Sequence, residues 1–206
     1  MPFYLENVLG YNPRQVGLLL AVVPLSAGAV SPLSGIVSDR IGTRPITVLG
    51  LFILLGGYIG LRTLNEHTTS LGYIIRFLPI GLGTGIFQSP NNSAIMGVAP
   101  REKLGIISSI LSITRTLGQT SGIAAVGAFW SARVAHYVAD PLQRGATSAP
   151  AIAQVESLKD TFLATAILIS IAFILSLWAL LREIRRRYHS LSVPDLEYAN
   201  EKEYRR

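Results

Sequence analysis

Long stretches without a charged side chain are the dominant feature of this sequence. No charged residue lies from Gln15 to Ser38, and none lies from Ile46 to Leu61. Each stretch has roughly the length that a helix needs to cross the hydrocarbon core of a bilayer. Only 15% of the 206 residues are charged, whereas a soluble domain carries about 25%. The chain is therefore predicted to be an all-α, polytopic bundle of membrane helices.

A short polar turn separates these first two stretches. It holds three charged side chains and two helix breakers: Asp39, Arg40, Gly42, Arg44 and Pro45. A connection this short makes the two helices antiparallel neighbours. Its two arginines favour the cytoplasmic side, because cytoplasmic loops carry an excess of Lys and Arg.

The pattern of apolar stretches predicts five membrane spans, at 15–37, 46–61, 71–99, 104–130 and 161–181. Residues 1–188 then form one transmembrane bundle, and 189–206 form a disordered tail of mixed charge. Arginines directly after the last span place this tail in the cytoplasm of a cell (plasma or inner) membrane. The polar segment 131–160 is predicted to be an external loop with a short surface helix near 151–158.

Several classes of function are disfavoured by composition. The chain has no cysteine, which rules out disulfides and thiolate metal sites. His67, His136 and His189 lie in separate polar segments, so neither a metal nor another cofactor is expected. The net charge of +6 arises from arginines at helix ends, whereas a nucleic-acid binder carries a basic stripe. No nucleophile, base and orienting group come together, so an enzyme is not expected.

Polar residues inside the predicted spans are the candidates for function, because burying them in lipid is costly. Gln88, Asn91 and Asn92 either face a central cavity or bond to other helices, and both interpretations stay open. Arg115, with Gln119 nearby, either pairs with a carboxylate on another helix or packs against carbonyls near the cytoplasmic mouth. No Asp or Glu lies within a predicted span.

The polar turn also carries a recognisable spacing, Gly35-x-x-x-Asp39-Arg40-x-Gly42-x-Arg44. It resembles the loop signature of the major facilitator superfamily of secondary transporters. Thr43 stands where that family usually has a basic residue, a substitution common in the second-half copy of the loop. The resemblance implies that the aspartate latches neighbouring helices in one conformation. Asp39 is expected to lie against a helix N-terminus, and the arginines to meet carboxylates or lipid phosphates.

A second motif extends the resemblance over about forty residues. It reads Gly81-x-Gly83-x-Gly85-x-x-Gln88-Ser89-Pro90-Asn91-Asn92-Ser93-Ala94 and, after a basic turn, Gly105-x-x-Ser108-Ser109 followed by Arg115-x-x-Gly118. This looks like the third- and second-last helices of the fourteen-helix drug/proton antiporter branch. Helix packing is expected at five glycines: Gly81, Gly83, Gly85, Gly118 and Gly122. The chain would then be a partial C-terminal half of the fold, without roughly the first nine helices.

The resemblance implies a proton-coupled transporter that exports drugs or small organic solutes by alternating access. Its partners would be the bilayer, the missing N-terminal half, a small-molecule substrate and the proton as coupling ion. The coupling carboxylate is expected in the missing half, and the chain alone is not expected to move solute. The alternative is a non-transporting assembly or regulatory protein built on a truncated transporter scaffold.

Overall fold

The computed structural model describes residues 1–138 and 145–192, with side chains up to residue 185. These residues form six α-helices: α1 Pro13–Leu20, α2 Val22–Ile41, α3 Thr43–Gly60, α4 Ser70–Gly97, α5 Leu104–Tyr137 and α6 Ala151–Ser192. Shorter helical turns are Tyr4–Val8, Leu61–Thr63, Arg101–Lys103 and Ala146–Ser148. The described residues contain no strand, and the predicted all-α class is confirmed.

Local sequence signals explain where the helices begin. The Asn12 side chain accepts a hydrogen bond from the Gln15 amide at 3.0 Å, and the Asn12 amide donates to the Gln15 side chain at 3.1 Å. Pro13 follows at the first helical position, where its missing N–H costs nothing. The Thr69 hydroxyl accepts from the Gly72 amide and caps α4 in the same way.

The first apolar stretch forms two helices, because the helix is interrupted at Ala21. Pro24 has no N–H, so it cannot bond to the carbonyl of Leu20 one turn earlier. The interruption at Ala21 therefore lies directly after Leu20, whose carbonyl lacks this helical partner. The bend predicted from the prolines and glycines of this stretch therefore has a specific cause.

Gly42 alone connects α2 to α3. Its φ of 103° lies in a region that L side chains rarely adopt, so glycine is required there. The Gly42 amide donates to the Ser38 carbonyl at 2.8 Å and closes the end of α2.

The helices pack unevenly. α4 lies between α2 and α3, and α6 packs against the outer side of α3. α5 contacts α6 near the end that includes Val134, its one fully buried residue in the structure described. Every residue at 112–129 is exposed.

A hydrophobic cluster at one end holds these elements together. Its members come from the N-terminal segment, from the residues that follow α3, and from α1, α4 and α6: Tyr4, Leu5, Val16, Leu19, Leu61, Leu64, Tyr73, Phe77, Ile80, Val155 and Phe162. The Tyr4 hydroxyl donates to the Asn65 carbonyl at 2.6 Å, and Asn7 donates to the Thr147 carbonyl at 3.1 Å. Burial raises the pKa of the Tyr4 phenol. We call this the Asn65 end, and the opposite end, with the Gly42 turn, the Gly42 end.

The loop predicted over 131–160 is shorter at both sides, and the short surface helix predicted near 151–158 is the first part of a longer, partly buried helix. α5 continues to Tyr137 and α6 already begins at Ala151, while 139–144 lie outside the described residues. Polar residues at 151–161 are typical of a loop, yet Gln154 and Ser157 are only 2% and 0% exposed. The Ser157 hydroxyl donates to the Ala153 carbonyl at 2.6 Å, so its own helix satisfies it.

The predicted tail also began too early, because α6 continues to Ser192. The remainder of that tail, 193–206, lies outside the described residues. Four helical segments are long and apolar enough to cross a membrane: Pro13–Ile41, Thr43–Thr63, Ser70–Gly97 and Ala151–Arg185. α5, predicted as a fifth span, has the length but is less apolar, so its crossing stays a prediction.

Candidate functional site

Glycines on α4 lie where this helix approaches its two neighbours. Gly81 and Gly85 face α2, where an added Cβ would overlap the Ser26 hydroxyl and the Ala27 carbonyl, respectively. Gly83 faces α3, where a Cβ would lie 2.7 Å from the Leu54 amide nitrogen. Small residues in these places let helix backbones approach closely.

Glycines on α3 complete this contact from the facing helix. A Cβ on Gly50 would lie 2.6 Å from the Phe87 amide nitrogen, and one on Gly57 would lie 3.2 Å from the Ile80 amide nitrogen. The signal was present in the sequence, since both are glycines inside an apolar stretch. Which of the glycines in α3 face α4 depends on how the helices are rotated.

A proline in α4 leaves one backbone carbonyl without its helical hydrogen bond, and a side chain of α2 bonds to that carbonyl. Pro90 is buried and has no N–H, so the Ile86 carbonyl one turn earlier loses its usual partner. The Ser34 hydroxyl donates to this carbonyl at 2.9 Å. Ser34 is itself buried at 6% exposure, and this bond joins α2 to α4 across the packed interface. Sequence reasoning did not identify Ser34.

Arg115 and Asn92 are brought together by the fold. An Arg115 Nη2 donates to the Asn92 Oδ1 at 2.7 Å, linking α5 to α4. The partner of Arg115 is thus an amide, and no carboxylate pairs with it in the described part of the chain. Asn92 is half-buried and Arg115 is exposed.

The neighbours of Arg115 on α5 form a polar stripe. Positions three or four residues apart lie on one face of a helix, and the stripe consists of Ser108, Ser112, Arg115 and Gln119. Thr116 and Ser121 bond instead to carbonyls of their own helix. The Gln119 side chain is exposed and has no hydrogen-bond partner among the described residues.

The other candidates are placed near this stripe without direct contacts to it. Gln88 and Asn91 are half-buried on α4, and Gln88 lies one turn before Asn92 on the same face. Gly118 and Gly122, predicted to pack against a helix, have no heavy atom within 4 Å of an added Cβ. They lie with Gln119 along an open surface of α5.

The conformational loop motif, Gly35, Asp39, Arg40, Gly42 and Arg44, lies around the Gly42 turn. An added Cβ on Gly35 would lie 3.1 Å from the Ser89 hydroxyl on α4. Arg44 Nη1 pairs with Glu183 Oε2 of α6 at 2.7 Å, so the turn and the end of α6 share one end of the bundle.

Asp39 does not occupy the expected place against a helix N-terminus. No side chain caps α3, and the Asp39 carboxylate is exposed without a hydrogen bond or ion pair to the described residues. Arg40 is exposed as well. Gly42 occupies the cap position directly before α3. Because glycine has no side chain, it cannot cap the helix as Asn12 and Thr69 do.

An ionic cluster near the Asn65 end was missed. Arg133 of α5 donates to Asp160 Oδ2 of α6 through Nε at 2.8 Å and through Nη2 at 2.5 Å. The Tyr137 hydroxyl donates to the same oxygen at 2.9 Å. Asp160 precedes the predicted span by one residue but lies inside the apolar helix Ala151–Arg185. The predicted spans themselves contain no Asp or Glu.

The chain is similar to several transporters. It is 40% identical over 126 residues to the uncharacterized transporter YebQ of Escherichia coli, which covers 61% of this chain and 28% of that protein. It is 30% identical over 131 residues to the riboflavin transporter RibZ of Clostridioides difficile, covering 64% and 29%. Against the multidrug transporter protein MdtP of Bacillus subtilis the identity is 28% over 166 residues, covering 78% and 31%.

The matching part therefore spans less than a third of each of these relatives. The family model of the Major Facilitator Superfamily matches residues 1–199, nearly the whole chain. This match agrees with the glycine-rich packing of α4 and with the signature around the Gly42 turn. The chain belongs to the Major Facilitator Superfamily.

Proposed function

We propose that this chain supplies helices to a secondary transporter of the cell membrane, with the Asn92–Arg115 contact beside the substrate path. The polar stripe on α5 carries the proposal. Arg115 and Gln119 are exposed within the predicted fourth span, where lipid would offer them no partner. Such residues face a water-filled path or further protein.

The exposed surface of α5 also supports a protein partner. Gly118 and Gly122 leave room for a second helix beside Gln119. Glycines at this spacing favour close helix packing. We propose that further transporter helices, acting as the N-terminal half, cover this face and form the substrate path with it.

Drug export and proton coupling form the finer part of the proposal. MdtP is named a multidrug transporter, and a protein of Mycobacterium tuberculosis that is 32% identical over 149 residues is named multidrug resistance protein Stp. We propose a drug or small organic solute as substrate and the proton as coupling ion. The stripe offers one cation, one amide and two hydroxyls but no carboxylate, so we place the coupling carboxylate outside this chain.

A chimera tests the function. This chain replaces the matching segment of MdtP, and uncoupler-sensitive efflux of a cationic dye is measured in cells. We expect efflux, and a loss of about tenfold or more on Arg115→Gln, since an interaction along the path is removed. Arg101→Gln is the matched control, because Arg101 is exposed in the α4–α5 turn.

Three outcomes oppose the proposal. A chimera that reaches the membrane but exports nothing supports a non-transporting assembly or regulatory protein. Efflux that persists in the presence of the uncoupler contradicts the proposed proton coupling. Equal efflux by the Arg115 and Arg101 variants contradicts the proposal that the stripe lies along the substrate path. In vesicles that carry only residues 1–206 we expect no efflux, because alternating access needs two bundles.

A further inference from the structure

A basic surface lies at the Gly42 end, where the first turn of α3 meets residues 178–184 of α6. Arg44 and Arg182 line the same open cleft with Trp178 and Glu183, and its volume is about 410 Å³. A second cleft of about 500 Å³ shares Arg44 and adds apolar side chains, among them Ile41, Leu180 and Ile184. The two clefts form one site that is cationic on one side and apolar on the other.

Both arginines are oriented by contacts within the protein. Arg44 uses Nη1 to pair with Glu183 at 2.7 Å and to donate to the Ala179 carbonyl at 3.3 Å. Its side chain is still 54% exposed, and its other nitrogens have no hydrogen bond to the described residues. Arg182 lies 4.1 Å above the centre of the Trp178 ring. Held in this way, the two guanidinium groups lose less entropy when they bind an anion.

The apolar side of the site continues into the bilayer region. Trp178, Leu181 and Ile184 are about half exposed along the last turns of α6. Farther along the same seam, the rings of Phe52 on α3 and Phe173 on α6 lie 6.0 Å apart. The seam from Arg44 to Phe52 is about 12 Å long at the rise of an α-helix. Its polar end carries a tryptophan, which is typical of a membrane–water interface.

We propose that this site binds an anionic phospholipid, with the phosphate at Arg44 and Arg182 and the acyl chains along the α3–α6 seam. Guanidinium groups bind phosphate oxygens with strong, directional hydrogen bonds. The lone carboxylate of the cleft, Glu183, already pairs with Arg44. A zwitterionic lipid carries its own cation, so the site favours a lipid with net negative charge. The proposal does not depend on transport.

Tryptophan fluorescence tests the proposal on the full chain. The protein has two tryptophans, and Trp130→Phe leaves Trp178, inside the site, as the sole reporter. The ring of Phe preserves the stacking of residue 130 on Phe3. This variant is reconstituted with brominated phosphatidylglycerol or brominated phosphatidylcholine at equal mole fractions. We expect phosphatidylglycerol to associate about tenfold more strongly, as two nearby arginines allow.

Charge variants locate the effect. Arg44→Gln with Arg182→Gln should reduce the quenching by phosphatidylglycerol to the level seen with phosphatidylcholine. Arg14→Gln with Arg62→Gln removes the same charge from exposed residues at the Asn65 end and should leave the preference intact. Equal quenching by the two lipids, or a preference that survives the loss of Arg44 and Arg182, overturns the proposal.

Two further measurements use only the Trp130→Phe protein and so do not depend on the folding of the arginine variants. High salt should abolish the preference for phosphatidylglycerol, because the contacts at the cleft mouth are exposed. Inorganic phosphate at millimolar concentration and constant ionic strength should leave it unchanged. A preference unaffected by salt refutes binding by the arginines, and displacement by phosphate assigns the site to a soluble anion instead.

Discussion

Gly83 shows how much of this fold depends on single positions. It lies where α4 crosses α3, and its α-carbon faces the backbone of Leu54 and Gly50. A methyl group there would meet backbone atoms at 2.7 and 3.0 Å, and backbone cannot move aside as a side chain can. Gly118 on α5, by contrast, faces open space.

Gly83→Ala should therefore lower the stability of the chain by about 1–3 kcal/mol, the usual cost of overpacking. Gly118→Ala should have little effect or raise stability slightly, because alanine is the better helix former. Thermal unfolding in one detergent, followed by circular dichroism, compares the two. Equal midpoints would mean that α3 and α4 do not pack as closely as described.

Asp160 provides a second comparison at the scale of residues. It joins α5 to α6 through Arg133 and Tyr137, whereas Glu156 pairs with Lys159 on its own helix at 2.7 Å. Asp160→Asn should lower the unfolding midpoint, because it leaves Arg133 without its carboxylate partner. Glu156→Gln should change the midpoint little, as is usual for a pair within one helix. The reverse order would show that the α5–α6 contact adds nothing to stability.

At the scale of elements, α5 differs from the other long helices. α2, α3 and α4 bury faces against one another, but residues 112–129 of α5 are exposed all round. The Gly42 turn, by contrast, is joined to α6 by Arg44, while Asp39 makes no hydrogen bond or ion pair with the described residues. An exposed aspartate that pairs with none of the described residues can pair in another conformation.

Charge reversal separates a role for Asp39 in such a conformation from a general charge effect. In the chimera, Asp39→Arg should lower transport about tenfold, within the range of a conformational coupling. Glu102→Arg reverses a charge in the exposed α4–α5 turn and should lower it far less. The comparison is made by dye efflux at matched membrane levels. Equal rates for the two variants would count against the latch.

At the scale of the whole molecule, the contacts define two ends. Arg44 and Glu183 place the Gly42 turn beside the end of α6. The N-terminal segment lies at the other end, where Tyr4 bonds to Asn65. The 145–150 segment lies there too, because Asn7 bonds to Thr147. This arrangement agrees with alternating helices, and the arginines favour a cytoplasmic Gly42 end.

Reporter fusions test that orientation. Fusions after Arg44, Glu102 and Arg187 should report the cytoplasm, and fusions near Glu66 and Arg144 should report the outside. Arg144, like the side chain of Arg187, lies outside the described residues. The readout is an alkaline phosphatase and green fluorescent protein pair, active on opposite sides of the membrane. A single inverted site would contradict the proposed topology.

The sequence by itself determined the helical class, the family and the approximate bounds of α3 and α4. These depend on local properties: the length of apolar stretches, the capping residues Asn12 and Thr69, and a glycine at the turn. Local polarity predicted a separate surface helix near 151–158, but this segment is the buried start of α6, because the burial of a polar residue depends on what packs over it.

Only the tertiary structure decided how the helices are rotated and which distant residues meet. The bond from Ser34 to the Ile86 carbonyl, the Asn92–Arg115 pair and the Arg133–Asp160 pair each join separate helices. A sequence records the position of a residue along its helix but not the angle at which a neighbouring helix lies. That angle follows from the packing of whole faces, such as the glycines of α4 against α2 and α3.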